Sequence, residues 1–190
     1  VGLLPLALAG INIAELVEGA TRAEMDLCSA QNNSLEKNFA LCYAGIRNIL
    51  YKNHFKIEAL CTWTPKLKSL AGWWTQLFGE SDGKQKTGIF PTFAQFSTDL
   101  HSLGQYFQDG ERHIIATHIK VMNEYSLGKN SAQRKMHIPN HSVSDGFDFL
   151  QGKDFSLVQN VAQQGTFIAH SEGGVPTLVW ELPELNAWWI

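Results

Sequence analysis

The sequence predicts an α/β sandwich, and three observations carry that expectation. Helix-spaced apolar segments alternate along the chain with shorter, strand-like ones. The hydrophobic fraction is 44% against 17% charged, which suits a globular core and argues against disorder. The length of 190 residues fits one good domain, or a domain plus part of another.

Taken in order, "VGLLPLALAG" is an apolar run with an Ala7-x-Ala9 pattern like a signal-cleavage site. It lacks a starting Met and a basic leader and is too short to span a bilayer, so it reads as a buried helix end. Ile13 to about Ala30 has helical spacing through Leu16, Ala20, Ala23 and Leu27. Asn32-Asn33-Ser34 reads as a break with a capping residue, and Leu35 to Tyr51 as a second helix. "KIEALCTW", Lys56 to Trp63, alternates as a strand. Thr64-Pro65 opens a helix with Pro at its first position. Its apolar face is Leu67, Leu70, Ala71, Trp74, Leu77 and Phe78, and it ends at Gly79.

Beyond a glycine turn, Phe93, Phe96, Leu100, Leu103 and Phe107 recur at helical spacing up to Gly110. His113 to Met122 reads as a strand and Asn123 to Ser144 as an irregular surface excursion. Phe155 to Ala169 is a helix, His170 to Pro176 a loop and Thr177 to Leu182 a strand. The closing "LNAWWI" would leave a large apolar surface uncovered. With the abrupt opening, this predicts a piece of a longer protein, incomplete at both ends.

Net charge is −3 with scattered basic residues, which gives no electrostatic footprint for nucleic acid. Cys28, Cys42 and Cys61 show no paired spacing and read as reduced, buried thiols of a cytosolic protein. "GESDGK", Gly79 to Lys84, mimics a phosphate loop, but its glycines are one residue too close and two acids stand where amides should face phosphate. Glu80 in this turn reads either as a general base or as a solvated turn acid. Partial burial among aromatics would bring a carboxylate into the range a proton carrier needs. His101 lies on the polar seam of its helix and reads as a catalytic or a surface histidine. His137 and His141 have metal-pair spacing, but Pro139-Asn140 breaks the helix between them, and His113 and His118 fall on opposite strand faces. Trp73-Trp74 reads as core rather than a sugar platform.

"QLFGESDGK" followed by "GIFPTFAQFSTDLHSLGQYFQDG" resembles the bacterial type of the glucose-6-phosphate isomerase family. "VGLLPLALAGINIAELVEGA", "CYAGIRNILY" and "GTFIAHSEGGVPTLVWELPELN" resemble further segments of it, so the likeness covers essentially the whole chain. The resemblance implies two three-layer αβα sugar-isomerase (SIS) domains. Residues 1–33 would be the tail and connecting helix of the first, and 34–190 most of the second. It implies that Glu80 is the base carrying a proton between C1 and C2 through a cis-enediol(ate). It implies that His101 helps open the sugar ring from the neighbouring subunit of a cytoplasmic homodimer, and that Gln76 contacts the sugar-phosphate substrate. Such an aldose–ketose shift needs no metal or redox cofactor, and neither nucleic acid nor membrane enters it. The family's Gly-Gly-Arg signature, phosphate loop and late active-site Lys are absent from this chain. Two other classes stay open: a SIS-type module that binds sugar phosphate without turnover, and an assembly piece. Retention of Glu80 separates the first, since a pure binding module needs no base.

Overall fold

The computed structural model describes residues 2–29, 34–123, 136–140 and 144–189. Its contacts divide the chain into two compact units, Val1–Lys56 with Lys120–Ser131 and Glu181–Ile190, and Ile57–Ile119 with Ala132–Trp180.

The first unit holds α1 (Leu3–Leu8), α2 (Ile13–Cys28) and α3 (Phe39–Lys52). Asn12 caps α2, its side-chain oxygen accepting from the amides of Ala14 at 3.1 Å and Glu15 at 3.3 Å. Ser34 heads a turn rather than a helix, because its carbonyl accepts from the amides of Lys37 and Asn38. The cap of α3 is therefore Asn38, which accepts from Leu41 N at 3.1 Å and donates to the Leu27 carbonyl at 2.7 Å. One side chain thus starts α3 and satisfies the end of α2. Asn32 and Asn33 lie outside the described residues. A Cβ on Gly19 would collide with the Trp188 carbonyl, so this close approach requires glycine. The opening run is helical as expected, but it is not buried: Leu4 is 70% and Leu8 81% exposed. Nothing in the described unit covers that face.

The sheet has the order β2-β1-β3-β4, from β1 (Ile57–Thr62), β2 (Phe90–Gln95), β3 (Ile114–Asn123) and β4 (Thr177–Glu184). β1 pairs in parallel with both β2 and β3. From Glu58 to Thr62 every residue of β1 is buried, on both faces, as a central parallel strand requires. The core gathers Ala59, Cys61, Trp63, Ala94, Phe96, Phe107, Ile114, Ala116 and Val175. The expected α/β class holds. Of the thiols, only Cys61 is buried; Cys42 is half-buried and Cys28 exposed.

Two boundaries differ from the sequence reading. The segment from Phe93 to Gly110 is not one helix: β2 ends at Gln95, a 3-10 turn spans Thr98–His101, and α5 runs Leu103–Asp109. Phe93 and Phe96 mimic helical spacing, but they lie in and just after an edge strand, where Pro91 costs no essential ladder bond. After a 3-10 turn at Pro65–Leu67, α4 runs Lys68–Asp82 through Gly79 and stops only at Gly83. α6 (Phe155–Glu172) likewise takes in His170, which the sequence assigns to a loop.

Candidate functional site

α4 packs against β1 and β2, burying Ala71 and Trp74 and stacking Trp74 on Phe78 at 4.8 Å. The outer stripe is Trp73, Gln76, Leu77 and Glu80, one helical face at i, i+3, i+4 and i+7. Trp73 is 56% exposed, so only its neighbour Trp74 is core. Gln76 Nε2 donates to Glu80 Oε1 at 3.1 Å. The structure therefore joins two of the sequence-predicted site residues. Glu80 is in the last turn of the helix, not beyond it, and its side chain is exposed rather than shielded by aromatics.

The glycine stretch after it is a tight hairpin turn. Thr87 N donates to the Lys84 carbonyl at 2.9 Å, and Gln85 and Lys86 both have positive φ, 52° and 61°. Gly88, at φ +120°, passes so near Asp82 that a Cβ would strike its carbonyl. The turn returns the chain from α4 into β2.

His101 is exposed on the 3-10 turn at the carboxyl end of β2. Glu80 lies at the other end: a Cβ on Gly79 would sit 3.8 Å from Pro91, the second residue of that strand. The five steps of β2 from Phe90 to Gln95, at ~3.3 Å each, span roughly 17 Å. No hydrogen bond or ion pair joins Glu80 to His101 among the described residues. Within one chain the structure pairs Glu80 with Gln76 and sets His101 apart.

Sequence reasoning passes over a buried polar layer. Thr117 Oγ1 donates to Glu58 Oε1 at 2.6 Å between β3 and β1. Thr62 Oγ1 donates to Gln95 Oε1 at 3.0 Å between β1 and β2. His118 is fully buried against Phe167, ring centroids 4.4 Å apart, and neither of its ring nitrogens has a partner. Burial lowers its pKa to about 3, helped by the nearby His170. Burial also lowers the pKa of His170; the Gly104 backbone opposes this and the Arg112 charge adds to it. Burial pushes the Cys61 thiol up, and the charges of Asp99 and Glu58 add to the effect, so it is an inert core group. His137 makes a backbone bridge with Asp154, while His141 lies outside the described residues.

Fold and site together define a helix-covered parallel α/β protein with a bonded amide–carboxylate pair at one end of an edge strand and a histidine at the other. The same fold occurs in the crystal structure of a hypothetical protein from Thermus thermophilus, with a TM-score of 0.85 and 23% identity over 99% of this chain and 43% of that one. By sequence, the chain is similar to the glucose-6-phosphate isomerases of Bacillus thuringiensis (strain Al Hakam), Bacillus cytotoxicus and Bacillus cereus (strain B4264). Each is 45% identical over 186 residues, which is 98% of this chain. The chain spans 39% of the length of these curated relatives. No protein-family model matches it. No helix among the described residues is long and apolar enough to cross a membrane.

Proposed function

We propose that this chain is part of a glucose-6-phosphate isomerase, a cytoplasmic enzyme of glycolysis and gluconeogenesis that interconverts glucose 6-phosphate and fructose 6-phosphate. Residues 1–33 then belong to the end of a first SIS domain and 34–190 to most of a second, each a three-layer αβα sandwich. The observation that carries the site is the 3.1 Å bond from Gln76 to Glu80 on the exposed last turns of α4. An amide that donates to a carboxylate fixes its orientation and leaves the second oxygen free to take a proton.

In the reaction, ring opening breaks the C1–O5 bond, delivers a proton to O5 and removes one from O1. Glu80 then takes the proton from C2 and electrons move to the C1 oxygen to give the cis-enediol(ate); a proton passes from the C2 hydroxyl to the C1 oxygen, and Glu80 returns the carbon proton to C1 as the C2–O bond becomes the carbonyl. Gln76 orients both base and substrate. His101 serves ring opening, and the span of β2 between it and Glu80 favours its delivery from the other subunit of a homodimer. A second chain, together with the rest of the polypeptide, would also supply the shielding that Glu80 lacks in this chain alone.

The test replaces the proton carrier in the natural polypeptide that contains these residues. Glu80→Gln should lower kcat by about 10²–10⁴-fold or more with KM little changed, the mark of an interaction made only in the transition state. Near-normal isomerisation by this variant would remove Glu80 from the mechanism. Sugar-phosphate binding without turnover by the unaltered protein would instead favour a regulatory module.

A further inference from the structure

The geometry points to Asp99 as the positioning residue for His101, with Gln95 as its buried anchor; this rests on the ring-opening role proposed for that histidine. His101 itself is exposed, but the turn that carries it is tied to the interior. Asp99 Oδ2 accepts the backbone amide of Gln95 at 2.7 Å, folding the turn back onto the end of β2. The Asp99 carbonyl accepts the amide of Ser102 at 3.2 Å and its hydroxyl at 3.3 Å, closing the turn on the far side of His101. A charged acceptor makes the first of these bonds stronger than an ordinary one.

Gln95 is held in turn. Its side chain donates to the carbonyls of Thr62 at 3.3 Å and Phe96 at 3.0 Å and accepts from the Thr62 hydroxyl at 3.0 Å. Phe96 N also donates to the Thr62 carbonyl at 2.8 Å. Phe96 is buried between Trp63, 5.5 Å away, and Phe107, 6.3 Å away. A continuous set of bonds therefore runs from the end of the central strand to the backbone of the turn. Leu100, next to His101, also packs against the core and its amide donates to the Ser97 carbonyl at 3.0 Å, while the Asp99 carboxylate adds the side-chain bond that ties the turn to the end of β2. Losing that carboxylate should let the turn, and the histidine with it, drift by an ångström or so, while α4 and the Gln76–Glu80 pair stay in place. A displacement of that size costs about 10²-fold in rate where a group must be aimed at a reacting atom.

Two readouts separate this role from a general loss of structure. Anomerisation of glucose 6-phosphate, followed by NMR exchange, needs ring opening and closing but no proton transfer at carbon. Binding of a linear six-carbon aldonate 6-phosphate needs no ring opening. In the natural polypeptide, Asp99→Ala should slow anomerisation about 10–100-fold and leave the Kd of the linear acid within about 2-fold. Asp99→Asn, which keeps an acceptor oxygen, should recover most of the rate. Unchanged anomerisation in Asp99→Ala would overturn the inference. So would loss of anomerisation and of linear-acid binding together, the mark of a purely structural role. An unaltered protein that neither anomerises the sugar nor binds the linear acid would overturn the isomerase reading, and this inference with it.

Discussion

Acid should loosen this protein through one ring. His118 is fully buried between Phe96 and Phe167, with both nitrogens unpartnered and His170 as the titratable ring beside it. Its pKa falls from 6.5 to about 3 on folding. The unfolded chain therefore binds the proton more readily than the folded one. The stability that goes with the neutral ring is whole above pH 6.5 and is lost as pH falls towards 3. Linkage between those two values gives a loss of ~2 kcal/mol at pH 5 relative to pH 7.5, rising to ~4 kcal/mol at pH 3. His170 acts in the same sense, since its pKa is also lowered. The perturbation is His118→Leu, which replaces an unsatisfied polar ring by an apolar side chain and should cost little at pH 7.5. Urea unfolding free energies of both proteins at pH 7.5 and 5.0 provide the assay. The wild type should lose ~2 kcal/mol more than the variant on acidification. Equal losses would show that His118 does not carry the acid sensitivity.

Two further outcomes bear on the same structure. If His101 acts across a subunit interface, Glu80→Gln and His101→Ala proteins, each inactive, should regain part of the activity when refolded together. A mixture that contains hybrid dimers yet stays inactive would refute the shared site. Arg112 donates to the carbonyls of Phe107, Gln108, Gly110 and Gly173, so one guanidinium ends both α5 and α6. Arg112→Met should cost about 1–3 kcal/mol by chemical denaturation, and Arg112→Lys should recover only part, because an ammonium lacks the planar fork. An Arg112→Met protein of unchanged stability would show that water satisfies those carbonyls as well.

Much of this fold is legible in the sequence where local pattern and tertiary environment agree. α2, β1, β3, α6 and β4 each lie close to where periodicity puts them. β2 is hidden because Phe93, Phe96, Leu100, Leu103 and Phe107 share a helical period by coincidence; its strand state comes from pairing with residues more than thirty positions away. Gly79 looks like a helix end, yet the local turn chemistry of Gly83 to Gly88 provides the stop. At the candidate site, the Gln76–Glu80 bond follows from i, i+4 spacing on a helix and could be read directly. The separation of Glu80 from His101 could not, because it depends on the strand that the sequence disguises. Nor could the Asp99 anchor, whose partner amide belongs to that same strand.

The buried polar bonds across the sheet solve a problem of alignment. β1 is enclosed on both faces, so its burial does not distinguish one face from the other and sets no register by itself. A strand of this kind could slide along its neighbours with little change in apolar contact. The Thr62–Gln95 bond, between residues directly opposite in the β1–β2 ladder, and the Glu58–Thr117 bond, diagonal in the β1–β3 ladder, remove that freedom. Displacing either neighbour by two residues would break the Thr62–Gln95 or the Glu58–Thr117 bond in the buried interior, at about 0.5–1.5 kcal/mol or more for each bond lost. These bonds act as keys that admit one alignment of the strands.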